Sequence, residues 1–144
     1  TGYSSEPLGL CEKVWINFKG KSSRIGIPWH FLLRDTLQFD KTVDEAIDRL
    51  EKAHRTCSIF VGLGDPKTKF KVVEYAHPNI TVWNNTNFPT YPEHPHLPDI
   101  LYVDKHTQPS HHPCLPSVLQ GLQGKIDASK FYRNVVGEHE TGDM

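Results

Sequence analysis

Side chains that could take part in covalent chemistry fall into three groups in this sequence. An asparagine-rich segment ends at Asn87, directly after an apolar run over residues 80–83. A set of histidines lies in a proline-rich stretch, and three cysteines, Cys11, Cys57 and Cys114, are spread along the chain. Carboxamides can donate hydrogen bonds to an oxyanion, imidazoles can bind metal or accept protons, and thiolates can attack carbonyl carbons.

The proline-rich stretch over residues 89–116 offers the ligand types of a zinc site. The candidate ligands are His94, His96, His106, His111, His112, Glu93 and Asp104. Their spacing is not diagnostic of a zinc motif, and histidines in polar loops are usually solvated. We therefore expect no metal and no cofactor.

The cysteines show no Cys-x-x-Cys spacing, so neither a zinc ribbon nor a redox dithiol is indicated, and at most one disulfide can form. A Cys–His nucleophilic pair is an alternative, but Cys57 opens an apolar run, where a buried and inert thiol is expected. Thr1 is a further alternative, because a free threonine amine and hydroxyl can act as an N-terminal nucleophile. No Gly-x-Ser-x-Gly elbow or phosphate-binding glycine-rich loop occurs.

Charge and hydropathy exclude two classes of partner. The 144 residues carry 16 basic and 17 acidic side chains, and this balance argues against a dedicated nucleic-acid binder, which needs a basic surplus. No apolar run approaches the roughly 20 residues that a membrane-spanning helix requires. We expect neither nucleic acid as a partner nor a membrane span.

Two N-glycosylation acceptor patterns begin at Asn79 and Asn84, each with threonine two residues later. Such acceptors are modified in the secretory pathway. The sequence therefore predicts a glycoprotein on a secreted or lysosomal route.

Hydrophobic periodicity predicts a mixed α+β fold. Pro28 in a first turn and the apolar residues up to Phe39 predict one helix, and the capping box Thr42-Val43-Asp44-Glu45 opens a second. The predicted strands are residues 8–18, 57–63, 70–75, 80–83 and 100–103, with an antiparallel meander over the middle three. Further short helices are predicted over residues 116–122 and 127–136, the latter with Asp127 as N-cap.

The segment Thr86-Asn87-Phe88-Pro89-Thr90-Tyr91 resembles the Thr-Asn-x-Pro-Thr-aromatic signature of the N-terminal-nucleophile hydrolases that cleave linear amides, the group of choloylglycine hydrolase, penicillin acylase and isopenicillin N acyltransferase-like proteins. Four further elements are similar to the group's motifs and occur in its order. They are Thr1 to Leu8, Ile27-Pro28 with Leu32-Leu33-Arg34, Thr42 to Ala46, and Gly64-Asp65 through Val73-Glu74, with Glu140 to Asp143 as a late match. The resemblance covers most of the chain.

The resemblance implies an αββα sandwich of two antiparallel sheets with covering helices. Residues 1–144 would be one interior segment of that domain, lacking the nucleophile region and the C-terminal strands. The nucleophile would be a cysteine upstream of Thr1, so the remainder of the same fold is an expected partner. The expected substrate is a small-molecule linear amide with an apolar acyl chain, and the expected reaction is hydrolysis or acyl transfer.

The resemblance also assigns an oxyanion hole. Asn87 falls on the asparagine whose amide stabilises the tetrahedral intermediate, and the backbone N–H of Ser4 falls on the second donor. Pro7 replaces the usual glycine, which leaves that turn in doubt, and a site role for His106 would follow from a weaker match with Lys105 in place of asparagine. Asn87 could alternatively be an ordinary turn residue.

An aromatic set comprising Trp29, Trp83, Phe88 and Tyr91 could line an acyl pocket, although aromatic residues near a sheet also serve as core. The alternative to an enzyme is a non-catalytic binding or structural subunit built on the same scaffold.

Overall fold

A computed structural model of the chain describes residues 1–15, 18–67, 70–89, 95–102 and 114–136. The chain divides into two compact units, residues 1–86 and residues 87–144. Helices and an antiparallel sheet occur together, which confirms the predicted α+β class. None of the helices in the described ranges is both long and apolar enough to cross a membrane.

The first unit is built on a five-stranded antiparallel sheet with the strands in sequence order. The strands are β1 (Gly2–Tyr3), β2 (Gly9–Val14), β3 (Ile59–Gly64), β4 (Lys71–Tyr75) and β5 (Ile80–Trp83). The predicted meander over β3, β4 and β5 is confirmed. The predicted strand over residues 8–18 is shorter, and β1 was not predicted because two residues carry no periodicity.

Two helices connect β2 to β3, α1 (Trp29–Phe39) and α2 (Val43–Lys52). Helix α1 was predicted with Pro28 in its first turn; it begins directly after Pro28, which is its N-cap residue. The Thr42 hydroxyl accepts a hydrogen bond from the Glu45 N–H at 3.2 Å, which confirms the predicted N-cap. The Glu45 carboxylate accepts from the Lys41 N–H at 2.8 Å, one residue before the expected partner.

The core of the first unit lies between these helices and one face of the sheet. Val61 at the centre of β3 is fully buried, and Leu50 of α2 is fully buried opposite the sheet. Twelve buried side chains form this cluster: Leu8, Leu10, Leu32, Leu33, Val43, Ala46, Leu50, Ile59, Val61, Leu63, Val73 and Tyr75.

The opposite face of the sheet carries apolar and polar side chains together, since Lys13, Phe60, Glu74 and Thr81 form one row across four strands. Because side chains alternate along a strand, the residues between the core positions point away from the helices. Cys11, Gly62, Val72 and Trp83 are in register there across four strands. Trp15 packs its ring on Phe60 with centroids 4.7 Å apart.

The described part of the second unit contains α3 (Cys114–Leu122), α4 (Ala128–Lys130) and a π-helix over Phe131–Val136. Asp127 accepts a hydrogen bond from the Lys130 N–H at 2.8 Å, as predicted for its N-cap. Of the strand predicted over residues 100–103, residue 103 lies outside the described residues, and the described part shows only an isolated bridge between Leu97 and Ile100. The buried residues are Leu97, Leu119 and Val135.

Candidate functional site

Asn87 lies in the turn that follows β5, and its side chain is exposed. The carboxamide oxygen of Asn84 forms that turn, accepting the Thr86 N–H at 2.8 Å and the Thr86 hydroxyl at 2.6 Å. An asparagine that accepts from the residue two positions later is a well-known turn device. The hydrogen bonds to Thr86 that define this turn are thus made by Asn84.

Ser4, whose N–H is the predicted second oxyanion donor, is buried in a tight turn between β1 and β2. Its N–H donates to the Leu8 carbonyl at 3.1 Å, and its hydroxyl donates to the Glu6 carbonyl. The Leu8 N–H also bonds the Glu6 carbonyl at 2.6 Å. The Ser4 N–H is therefore already engaged, and binding an oxyanion there requires this turn to change. Ser4 belongs to the first unit, whereas Asn87 begins the second.

The predicted aromatic set does not form one pocket within the first unit. Trp29 packs against the core on the helix side of the sheet. Trp83 follows Val82, which packs on that same core, so alternation directs Trp83 to the opposite face. Phe88 belongs to the second unit, where it lines a cavity of about 10 Å³ with Leu97 and neighbouring residues. Tyr91 lies outside the described residues.

The candidate metal ligands fall mostly outside the described ranges. His96 is described and exposed, whereas the other candidate ligands lie outside the described residues: His94, His106, His111, His112, Glu93 and Asp104. Among the described residues, no three histidine, cysteine or carboxylate side chains are placed to hold a metal ion. A site role for His106 stays a prediction.

All three cysteines are described, and each is a free thiol. Burial raises the pKa of Cys57 above its ordinary value, which lowers the thiolate fraction at neutral pH. Cys57 therefore has the character of an inert thiol. Burial also raises the pKa of Tyr75 to about 12.

An open groove of about 530 Å³ lies between α1 and α2. Arg49 crosses it and binds Asp40 through two hydrogen bonds of 2.7 and 2.8 Å. The hydrogen bond to Asp40 raises the pKa of Arg49. This pair was not predicted, because a separation of nine residues across a helix–helix turn matches no local pairing rule.

Arg55 holds the C-terminal end of α2 against β4. Its guanidinium donates to the Glu51 carbonyl at 2.8 Å and to the Ala76 carbonyl at 2.7 Å, and it lies over the Tyr75 ring, 5.9 Å from the centroid. Binding of carbonyls by a cation at a helix end is favourable both for the orphan acceptors and for the helix dipole. Arg55 is therefore a structural residue.

Two curated proteins of Dictyostelium discoideum are similar to this chain. Protein dcd1A is 47% identical over 150 residues, and protein dcd1B is 38% identical over 150 residues. Both alignments cover 100% of the chain but only 34% and 30% of the two relatives. The chain thus spans about a third of the length of these relatives. No protein-family model and no solved structure matches the chain.

Proposed function

We propose that the chain is part of an amide-cleaving or acyl-transferring enzyme of the N-terminal-nucleophile type, with Asn87 as an oxyanion donor. The observation that carries the proposal is the position of Asn87, an exposed carboxamide in the turn that follows the last strand of an antiparallel meander. The motif order along the rest of the chain supports the same assignment.

The two-faced sheet supports the sandwich architecture. Helices α1 and α2 cover one face, and the opposite face carries the buried Phe60 and Val72 together with Lys13, Glu74 and Thr81. An antiparallel sheet that meets water on its second face carries mainly polar side chains there. Burial of Phe60 and Val72 on the second face agrees with a second sheet stacked about 10 Å away, as in an αββα sandwich.

The proposed chemistry begins on a cysteine that precedes Thr1 in the longer protein. Its thiolate attacks the amide carbonyl carbon, and its α-amine accepts the thiol proton and returns it to the leaving amine. The Asn87 amide donates to the oxyanion of the tetrahedral intermediate. Collapse of the intermediate breaks the C–N bond and leaves a thioester, which water hydrolyses or a second amine captures.

The Asn87→Ala variant of the full-length protein tests the assignment. Loss of one oxyanion donor lowers kcat by roughly 100- to 1000-fold, and we expect that loss on a linear amide with an apolar acyl chain. Asn85→Ala is the matched control, since it removes a neighbouring carboxamide from the same turn. Full activity in Asn87→Ala would sink the oxyanion assignment.

The engaged N–H of Ser4 favours the alternative of a non-catalytic binding or structural subunit, because it leaves the second donor occupied. Mass spectrometry of the purified full-length protein separates the two proposals. A processed N-terminal cysteine that reacts with iodoacetamide supports the enzyme. A protein with no such terminus supports the subunit.

We also propose that the protein follows a secreted or lysosomal route and carries N-linked glycans. Asn79 is exposed at the turn between β4 and β5, where the Ala76 N–H donates to its carbonyl at 3.0 Å. Such a hairpin tip is accessible to a glycosylating enzyme. Gel mobility before and after enzymatic removal of N-glycans, in wild type and in Asn79→Gln and Asn84→Gln, tests both acceptors. Identical mobility throughout would contradict the proposal.

A further inference from the structure

A basic and apolar segment precedes and opens α1. Between Lys19 and Arg34 the sequence contains four Lys or Arg side chains and no Asp or Glu, in a chain whose net charge is -1. Arg34 lies 3.9 Å from Asp35, while Lys19, Lys21 and Arg24 all lie in the loop before the helix. The positive charge is therefore concentrated in this loop.

Two backbone hydrogen bonds tie the second half of the loop to the segment after α2. The Ser23 N–H donates to the Thr56 carbonyl at 2.9 Å, and the Ile27 N–H donates to the His54 carbonyl at 2.8 Å. Between these points, Gly26 has a φ of 142°. A Cβ there would overlap the His54 carbonyl oxygen, so only glycine allows this close approach.

The loop holds an isoleucine outward at its tip. Ile25 is 86% exposed. Its backbone is fixed by a local turn, in which the Ile25 N–H donates to the Ser23 hydroxyl at 3.0 Å and that hydroxyl donates to the Ile25 carbonyl at 2.8 Å. Ile27 and Phe31 are also exposed beside it. A loop that exposes apolar side chains among cations supplies both the apolar burial and the electrostatic attraction that favour binding to an anionic membrane surface.

We propose that the loop over residues 19–27 docks on an anionic lipid surface. Ile25 enters the boundary between headgroups and acyl chains, and Lys19, Lys21 and Arg24 lie at the level of the lipid phosphates. A soluble polyanion would use the cations but gain little from Ile25. The inference does not depend on the proposed catalytic role.

The neighbouring groove carries more acidic than basic side chains. Ile27 reaches its edge, and its four carboxylates belong to Asp35, Asp40, Glu45 and Asp48. Arg49 pairs with one of them at 2.7 Å and Lys52 pairs with another at 2.6 Å. Two of the four carboxylates are thus paired with cations, and the groove lining includes Ile27 but not Ile25.

Co-sedimentation of the full-length protein with lipid vesicles tests the proposal. We expect binding to vesicles of phosphatidylcholine with phosphatidylserine, and little binding to phosphatidylcholine alone. Each cation near such a surface strengthens partitioning by on the order of fivefold, so Lys21→Glu with Arg24→Glu lowers binding at least tenfold. Ile25→Ser lowers it by about tenfold through the lost apolar burial.

Two controls carry the same substitutions elsewhere. Val14→Ser removes another exposed aliphatic side chain, and Lys125→Glu reverses another exposed cation. Both controls should bind vesicles like the wild type. If Ile25→Ser binds vesicles as strongly as the wild type and soluble polyphosphate competes with the vesicles, the ligand of the loop is a soluble polyanion, which would overturn the proposal. Absence of vesicle binding by the wild type would overturn it too.

Discussion

The two compact units differ sharply in how much apolar side chain they bury. The first unit encloses twelve buried residues between two helices and a sheet, whereas the described part of the second encloses three, Leu97, Leu119 and Val135. Because apolar burial is the main favourable term in folding, most of the stability should reside in the first unit. Asn87 is the first residue of the second unit, directly after the more heavily packed first unit.

Truncation of one buried leucine in each unit gives the largest contrast. Leu50→Ala leaves a cavity under the sheet, and we expect it to lower the free energy of unfolding by about 2–5 kcal/mol. Leu119→Ala should affect mainly the exchange protection of residues 114–136. Urea unfolding with amide hydrogen exchange measures both. Equal loss of protection in β3 from the two variants would contradict the division.

The Arg49–Asp40 pair tests how far polar contacts contribute to the first unit. Arg49→Ala leaves the buried Asp40 carboxylate without this partner, and we expect a loss of about 2 kcal/mol in chemical unfolding. Lys52→Ala is the matched control, because its pair with Asp48 is exposed on both sides and is worth about 0.5 kcal/mol. Similar losses in both variants would mean that burial of Asp40 is unimportant.

The N-caps of α2 and α4 allow one capping hydrogen bond to be compared between the two units. Thr42→Ala should cost about 1 kcal/mol, measured by thermal unfolding. In the second unit, the hydrogen bond from the Lys130 N–H holds the pKa of Asp127 below its ordinary value. Its stabilisation is therefore present above the unfolded pKa of roughly 3.9 and is lost as pH falls through the lower folded value.

Amide exchange at Lys130 as a function of pH checks this second cap. Exchange, corrected for its intrinsic pH dependence, should accelerate at acid pH in the wild type. Asp127→Asn should show no such acid step. An acid step that persists in Asp127→Asn would assign it to another group.

Tyr75→Phe should have the smallest effect near neutral pH. The Tyr75 hydroxyl is buried, and within the described residues it has no hydrogen-bond partner, so its removal should leave stability unchanged or slightly higher. Because burial raises the folded pKa to about 12, ionisation of Tyr75 in the unfolded chain lowers the stability of the wild type as pH rises from about 10 towards 12. Alkaline unfolding of both proteins, followed by circular dichroism, should show a weaker pH dependence in Tyr75→Phe.

Local signals in the sequence predicted the elements that local chemistry controls. Pro28 marked the start of α1, Thr42 the cap of α2, and Asp127 the cap of α4. The meander was predicted because short connections leave few alternatives to antiparallel pairing. The register of β2 on β3 was not predicted, since it joins segments separated by both helices.

The candidate site was less predictable than the fold. A motif match can assign a backbone N–H to a role, but it cannot show that the Ser4 N–H already donates to Leu8. Alternation along β5 places Trp83 away from Trp29, and this follows only once the strand and its core face are known. Exposure of Ile25 likewise depends on hydrogen bonds to residues beyond α2.

The insertion of α1 and α2 between β2 and β3 has a kinetic consequence. Most neighbouring strands pair through short connections, but β2 and β3 must close a long loop before their contacts form. Loop closure of this kind costs chain entropy early and slows folding. We expect substitutions at the β2–β3 seam to change the folding rate, and substitutions at the β5 edge to act mainly on unfolding.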